Sequence, residues 1–222
     1  MPVLPRPEHV SATLFDMDGL LIDSEPLWFA VECDLARSLG AEWTHADWLL
    51  CVGRGLPNTV RRLADKAGVA LDVAEGVALL RQRFVLRLPD LALKPGAPEA
   101  LAAARSVGRV ALATSNTRPL AEAVLARFGL AGAFDAVLTG ESVARHKPAP
   151  DVFVEAARVL DVPIGACVVL EDSLPGVQAG RAAGAFVVGV PDTHTDREAL
   201  AAEAHLTLVS LAHVADWLAP HA

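Results

Sequence analysis

The 222-residue chain is 53% hydrophobic and 21% charged, with 27 Asp+Glu against 19 Lys+Arg and a formal net charge of −8. That apolar content excludes a disordered chain, and no run reaches the roughly 18 uninterrupted apolar residues of a membrane span. The acidic balance, with no basic run, excludes nucleic acid as a general partner. Cys33, Cys51 and Cys167 are odd in number and dispersed, so they read as small buried thiols, without a disulfide framework or structural zinc. The N-terminal MPVLPRPEHV has prolines where a signal peptide needs an apolar stretch, and a cytoplasmic protein is expected.

The first predicted strand, 10–15, runs into Asp16-Met17-Asp18-Gly19. Residues 24–93 then offer no good strand. Leu27, Val31, Leu35 and Leu39 recur every four residues, the apolar stripe of an amphipathic helix over 26–39. Helices over 57–67 and 73–88 follow. Turn residues at 21–24 and 88–96 bracket this stretch, which predicts a helical insertion, residues 21–93, in a core made of 1–20 and 94–222. Beyond it, helices over 98–107, 119–128, 150–160 and 176–183 alternate with strands over 109–113, 136–139, 166–170, 185–190 and, more weakly, 206–209. Pro98, Pro119 and Pro150 sit at helix starts and Gly108, Gly129 and Gly184 at helix ends. The alternation predicts an α/β core with a doubly wound parallel sheet.

Ligand sites in such sheets gather at the carboxyl ends of strands. Asp16 and Asp18 follow the first strand, and residues i and i+2 of an extended backbone project to the same side; an ordinary Asp-Gly turn is the alternative. Thr114-Ser115-Asn116 follows the second core strand, where hydroxyls and backbone N–H groups suit a phosphate or simply cap a helix. Lys147 lies in His146-Lys147-Pro148-Ala149-Pro150-Asp151, and a lone loop lysine is usually just solvated. Glu171 and Asp172 follow the fourth core strand, offering Mg²⁺ hard oxygen ligands or capping the next helix. Each bland alternative stands singly; all four segments in order make chance a poor account.

These residues resemble the four motifs of the haloacid dehalogenase-like superfamily: DxDGxxxDS at 16–24, Thr114, KPxPD at 147–151 and EDS at 171–173. The resemblance spans nearly the whole chain. The helical insertion is similar to the cap of the β-phosphoglucomutase-like branch, and LFDMDGLLIDSEPLW looks closest to that branch's sugar-phosphate phosphatases. The resemblance implies strand order 3-2-1-4-5, Asp16 as the nucleophile that becomes an aspartyl-phosphate, and Asp18 as general acid and base. It also implies Mg²⁺ held by Asp16, the Asp18 carbonyl and Asp172, with Glu171 close by or acting through water. Thr114, Ser115, Asn116 and Lys147 would hold the phosphoryl oxygens. The four acids carry −4 when ionised, and Lys147 with Mg²⁺ returns +3; protonating Asp18 makes the site neutral, so an anionic substrate requires the metal.

A dehalogenase has no use for Asp18, because a halide leaves without a proton. A mutase of this branch carries histidine five residues beyond the aspartate that is Asp23 here; Trp28 stands there, which favours water as acceptor. A response-regulator receiver, the reading from another class, needs a phosphoacceptor after strand 3, where Gly140-Glu141 offers no aspartate. In the insertion, Arg54 of Val52-Gly53-Arg54-Gly55 either meets a second substrate group or is solvated. Trp28, Trp43 and Trp48 either form a sugar platform or fill the insertion's core. His45, His146 and His194 receive no chemistry. The expected partner is a small phosphorylated metabolite, with a monomer as default and cap closure on the two linkers as the expected motion.

Overall fold

The computed structural model describes residues 4–5, 7–52 and 54–219; parts of the N-terminal MPVLPRPEHV and Gly53 beside Arg54 lie outside the described residues. Strand β1 (Ala12–Phe15) is buried along its length, as a strand flanked on both sides and covered on both faces requires. Four helices follow it: α1 (Glu25–Ser38), α2 (His45–Leu49), α3 (Leu56–Ala67) and α4 (Val73–Leu86). The alternating part then runs α5 (Ala97–Val107), β2 (Arg109–Ala113), α6 (Arg118–Arg127), β3 (Ala136–Leu138), α7 (Asp151–Val159), β4 (Cys167–Glu171), α8 (Leu174–Ala183) and β5 (Phe186–Gly189). Helix α9 (Arg197–Glu203), β6 (Leu206–Thr207) and α10 (Leu211–Leu218) close it. The chain divides into two compact units, one up to Ile22 and from Leu93 onward, the other Asp23–Ala92.

The sheet is parallel throughout, in the order β3-β2-β1-β4-β5-β6. This is the expected 3-2-1-4-5 order with the weak sixth strand added at the β5 edge. Phe15 pairs in register with Leu112 of β2 and Leu170 of β4. The next residues on the three strands, Asp16, Ala113 and Glu171, therefore stand at one level. The chain leaves β1 toward β2 but leaves β4 toward β5, so their carboxyl ends flank a topological switch point. One face buries Ala12, Leu14, Ala111, Val169 and Val187 against α7, α8 and α9. On the α8 side Gly180 is required by proximity: a Cβ there would sit 2.8 Å from Val187 Cγ2.

Helix α10 was not expected, and its buried Leu211, Val214, Trp217 and Leu218 make it part of the core. It packs so close that a Cβ on Gly96, whose φ is +86°, would lie 2.2 Å from the Ala212 nitrogen. Helices α2 and α9, at five and seven residues, are too short for periodicity to show. Gly184 and Gly129 have the positive φ expected near helix ends, but Gly108 is extended at φ 177°. It is glycine for space, since its Cβ would meet Ser11 O at 2.4 Å. Pro150 is the N-cap of α7, one residue before the helix.

In the helical unit, Val31 and Leu35 of α1 pack with Trp43, Trp48, Val60, Leu63, Val77 and Leu80. Trp43 and Trp48 are thus core residues, while the half-buried Trp28 stacks on Phe84 with ring centroids 4.1 Å apart. Among the described residues of this unit the buried charged side chain is Glu32, 3% exposed, which accepts a 3.0 Å hydrogen bond from Trp43 Nε1. Burial is the main cause that pushes its pKa up to about 8, opposed by that bond and reinforced by Glu25. All three cysteines are free; Cys51 and Cys167 are buried and Cys33 is partly so.

Candidate active site

The site is built from the turns that follow β1, β2 and β4, joined by one loop before α7. After β1 the backbone folds on itself: Leu21 and Ile22 donate to Met17 O at 2.9 and 3.0 Å, and Gly19 N donates to Ile22 O at 3.0 Å. Gly19 takes φ +77°, open to glycine without strain, and the absent side chain matters as well. A Cβ there would lie 2.3 Å from Asp172 Oδ2. The turn holds Asp16 and Asp18 beside the end of β4, with Asp16 N donating to Leu170 O at 3.1 Å.

Asp18 is reached from β2's turn by Asn116, whose Nδ2 donates to Asp18 Oδ2 at 2.5 Å. Asn116 is itself fixed, since its N donates to Thr114 Oγ1 at 3.1 Å and its carbonyl accepts from Gly140 N at 2.9 Å. Thr114 is 1% exposed, whereas Ser115 is open to solvent. Lys147 arrives from the loop before α7, where its bond to Pro148 is cis. Its side chain is only 7% exposed, lies 5.0 Å over the Phe153 ring, and does not behave as a solvated loop lysine. Nζ donates to Asp16 Oδ1, to Glu171 Oε1 at 2.6 Å and to Ala113 O at 2.9 Å. Burial opposes its charge, but Asp16 and Glu171 outweigh that and hold its pKa above the ordinary lysine value.

Glu171 is wholly buried, with Oε1 taken by Lys147 and Oε2 by Ser173 N and Oγ at 3.3 and 3.0 Å. Burial lifts its pKa to about 7, Lys147 opposing and Asp16 adding to the rise. Asp172 is pushed well above the usual carboxylate range, first by burial and then by the charges of Asp16, Glu171 and Asp192. Asp16, Glu171 and Asp172 each offer an oxygen within 4.8 Å of the others'. Asp172 Oδ1 is buried with no hydrogen-bond partner among the described residues. Crowded hard oxygens and an orphaned carboxylate oxygen fit a small divalent cation such as Mg²⁺.

Lys147 thus joins Asp16 to Glu171, Asn116 holds Asp18, Asp172 lies within 4.8 Å of Asp16 and Glu171, and Thr114 supports Asn116. Arg54 and Trp28 belong to the helical unit, where Arg54 is exposed in the turn between α2 and α3. Two residues escaped the sequence reading. Asp192 follows β5 and Lys94 follows the insertion; Lys94 Nζ donates to Asp192 Oδ1 at 2.5 Å. The available signal was an aspartate just past an apolar strand, as for Asp172.

A central acid pair on a doubly wound parallel sheet, faced by a buried lysine and a second acid pair, is the arrangement of a class of α/β hydrolases. The chain belongs to the haloacid dehalogenase-like hydrolases, whose family model matches residues 10–184. Hexitol phosphatase B of Escherichia coli K12 is 32% identical over 224 residues, covering 92% of this chain and 95% of that protein. A CbbY variant from Rhodobacter sphaeroides, solved with xylulose-(1,5)bisphosphate, superposes with a TM-score of 0.82 at 32% identity, covering 91% and 95% of the two chains. A β-phosphoglucomutase-like protein from Thermotoga maritima gives a TM-score of 0.81 at 29% identity, covering 94% and 98%. No helix of the described residues is long and apolar enough to cross a membrane.

Proposed function

We propose that the chain is a Mg²⁺-dependent phosphatase of a small sugar or polyol phosphate, working through an aspartyl-phosphate on Asp16. The observation that carries this reading is the junction of Lys147 with both Asp16 and Glu171, beside the Asn116–Asp18 hydrogen bond. Asp16 and Asp172, with the Asp18 carbonyl, would hold the cation, and Glu171, engaged by Lys147 and Ser173, would act beside it or through water. When bound there, the cation would supply positive charge to neutralise the phosphate.

Asp16 attacks phosphorus as the ester bond to the sugar oxygen breaks, and Asp18 gives that oxygen its proton. Asn116 holds Asp18 toward the reacting group. Asp18, now ionised, takes a proton from water, which attacks the phosphorus and returns Asp16 as a free carboxylate. Lys147, Thr114, Asn116 and the backbone N–H groups around Ser115 bind the phosphoryl oxygens whose charge grows at transfer. Trp28 is stacked on Phe84 and offers no imidazole to prepare a second sugar hydroxyl, which supports water as acceptor. The relatives named for hexitol phosphates and xylulose bisphosphate support the substrate class. The insertion at residues 21–93 would select among such substrates, with Arg54 and Trp28 as its candidate contacts.

Phosphate release should be measured over a panel of sugar and polyol phosphates with Mg²⁺. Asp16→Asn should lower it by about a thousandfold or more; release unchanged in that variant refutes the nucleophile.

A further inference from the structure

Asp192 sits just past β5 with 7% exposure, and nothing in the proposed chemistry uses it. Its Oδ1 accepts from Lys94 Nζ at 2.5 Å and from Thr193 N at 2.7 Å. Its own N donates to Thr195 Oγ1 at 3.2 Å, and that hydroxyl donates to the Asp172 carbonyl at 2.8 Å. On the side-chain side, Asp192 Oδ2 and Asp172 Oδ2 converge over Gly19: a Cβ there would lie 3.4 and 2.3 Å from them. The loop after β5 therefore holds Asp172 through its backbone and faces its carboxylate with a second one.

We propose that Asp192, neutralised on its far side by Lys94, is a positioning residue for the divalent cation. Two facing carboxylates repel unless a cation or proton lies near both. Lys94 satisfies Oδ1 and leaves the negative Oδ2 edge toward Asp172, so the pair favours a cation there without adding net charge. A hard cation such as Mg²⁺ keeps several waters, and Asp192 accepts hydrogen bonds from them. The inference rests on Asp16 and Asp172 being cation ligands.

The test is Mg²⁺ titration of the full chain, reading the midpoint of the Mg²⁺-induced rise in thermal stability. Asp192→Asn is expected to move that midpoint upward by about tenfold or more. A role in packing alone would lower the Mg²⁺-free melting temperature and leave the midpoint where it is, which overturns the proposal. Lys94→Met tests it independently by leaving Asp192 un-neutralised: the midpoint should fall, and one that stays or rises overturns the proposal. If the parent protein shows no Mg²⁺ response, the cation reading itself fails. A parent response with both variants unmoved sinks only the role of Asp192.

Discussion

Lys147→Met removes the cation that bridges Asp16 and Glu171 while keeping an apolar stem to lie on Phe153. Three acceptors lose their donor at once: Asp16 Oδ1, Glu171 Oε1 and Ala113 O. Breaking a buried ion pair by deleting one partner costs about 3–5 kcal/mol, because the other charge stays buried and uncompensated. The cost should depend on pH in a defined direction. Burial raises the Glu171 pKa in the folded protein to about 7, against 4.5 for an ordinary glutamate. The folded state thus holds the extra proton between those values, and stability falls as pH rises through that window. Without Lys147 the window extends further upward, so the deficit of the variant should be largest above pH 7 and shrink toward pH 5. Urea denaturation of both proteins in EDTA at pH 5, 6, 7 and 8 measures it. A deficit below about 1 kcal/mol at pH 8, or one that grows as pH falls, refutes the electrostatic account.

Glu32→Gln keeps an acceptor for Trp43 Nε1 but cannot ionise. With the Glu32 pKa raised to about 8, the stability of the variant relative to the parent should climb between pH 5 and 8 and then level off. The slope is at most about 1.4 kcal/mol per pH unit; a flat difference in urea denaturation counts against a buried, titrating Glu32. Gly176→Ala should destabilise although alanine favours helices, because the new Cβ would fall 1.9 Å from Glu171 Cδ. A loss of about 1–3 kcal/mol is expected by chemical denaturation, and an alanine variant as stable as the parent would show that Glu171 yields freely. Chelation with EDTA should abolish phosphate release and Mg²⁺ should restore it; full turnover in EDTA would remove the metal from the scheme.

Much of the α/β core was legible because its signals are local. Apolar runs separated by helical stripes fix strands and helices by period, and the strand order followed from the motif resemblance. The boundaries moved by a residue or two: β4 extends to Glu171 and β5 ends at Gly189. Helix α10 was missed because its eight residues are short and the surface it buries against, α5 with Gly96 before it, lies far away in sequence. In the insertion, the stripe Leu27–Val31–Leu35 announced α1, but the burial of Glu32 beside it could not be read from a charged residue on that helix.

Which chemical groups follow which strand is written in the chain: paired acids, hydroxyls with an amide, a lysine flanked by prolines, and a second acid pair. Those follow from neighbours along the chain. The tertiary structure decided which groups meet. Parallel register brings Asp16, Ala113 and Glu171 to one level, so Lys147 can span Asp16, Glu171 and the β2 carbonyl, and Asn116 can reach Asp18. It also decided how the charge of −8 is managed locally. Lys147 is paired with Asp16 and Glu171, and Lys94 with Asp192, while Asp172 Oδ1 is buried with no hydrogen-bond donor among the described residues. Residue spacing cannot show that, because charge balance at a site depends on distances set by the sheet.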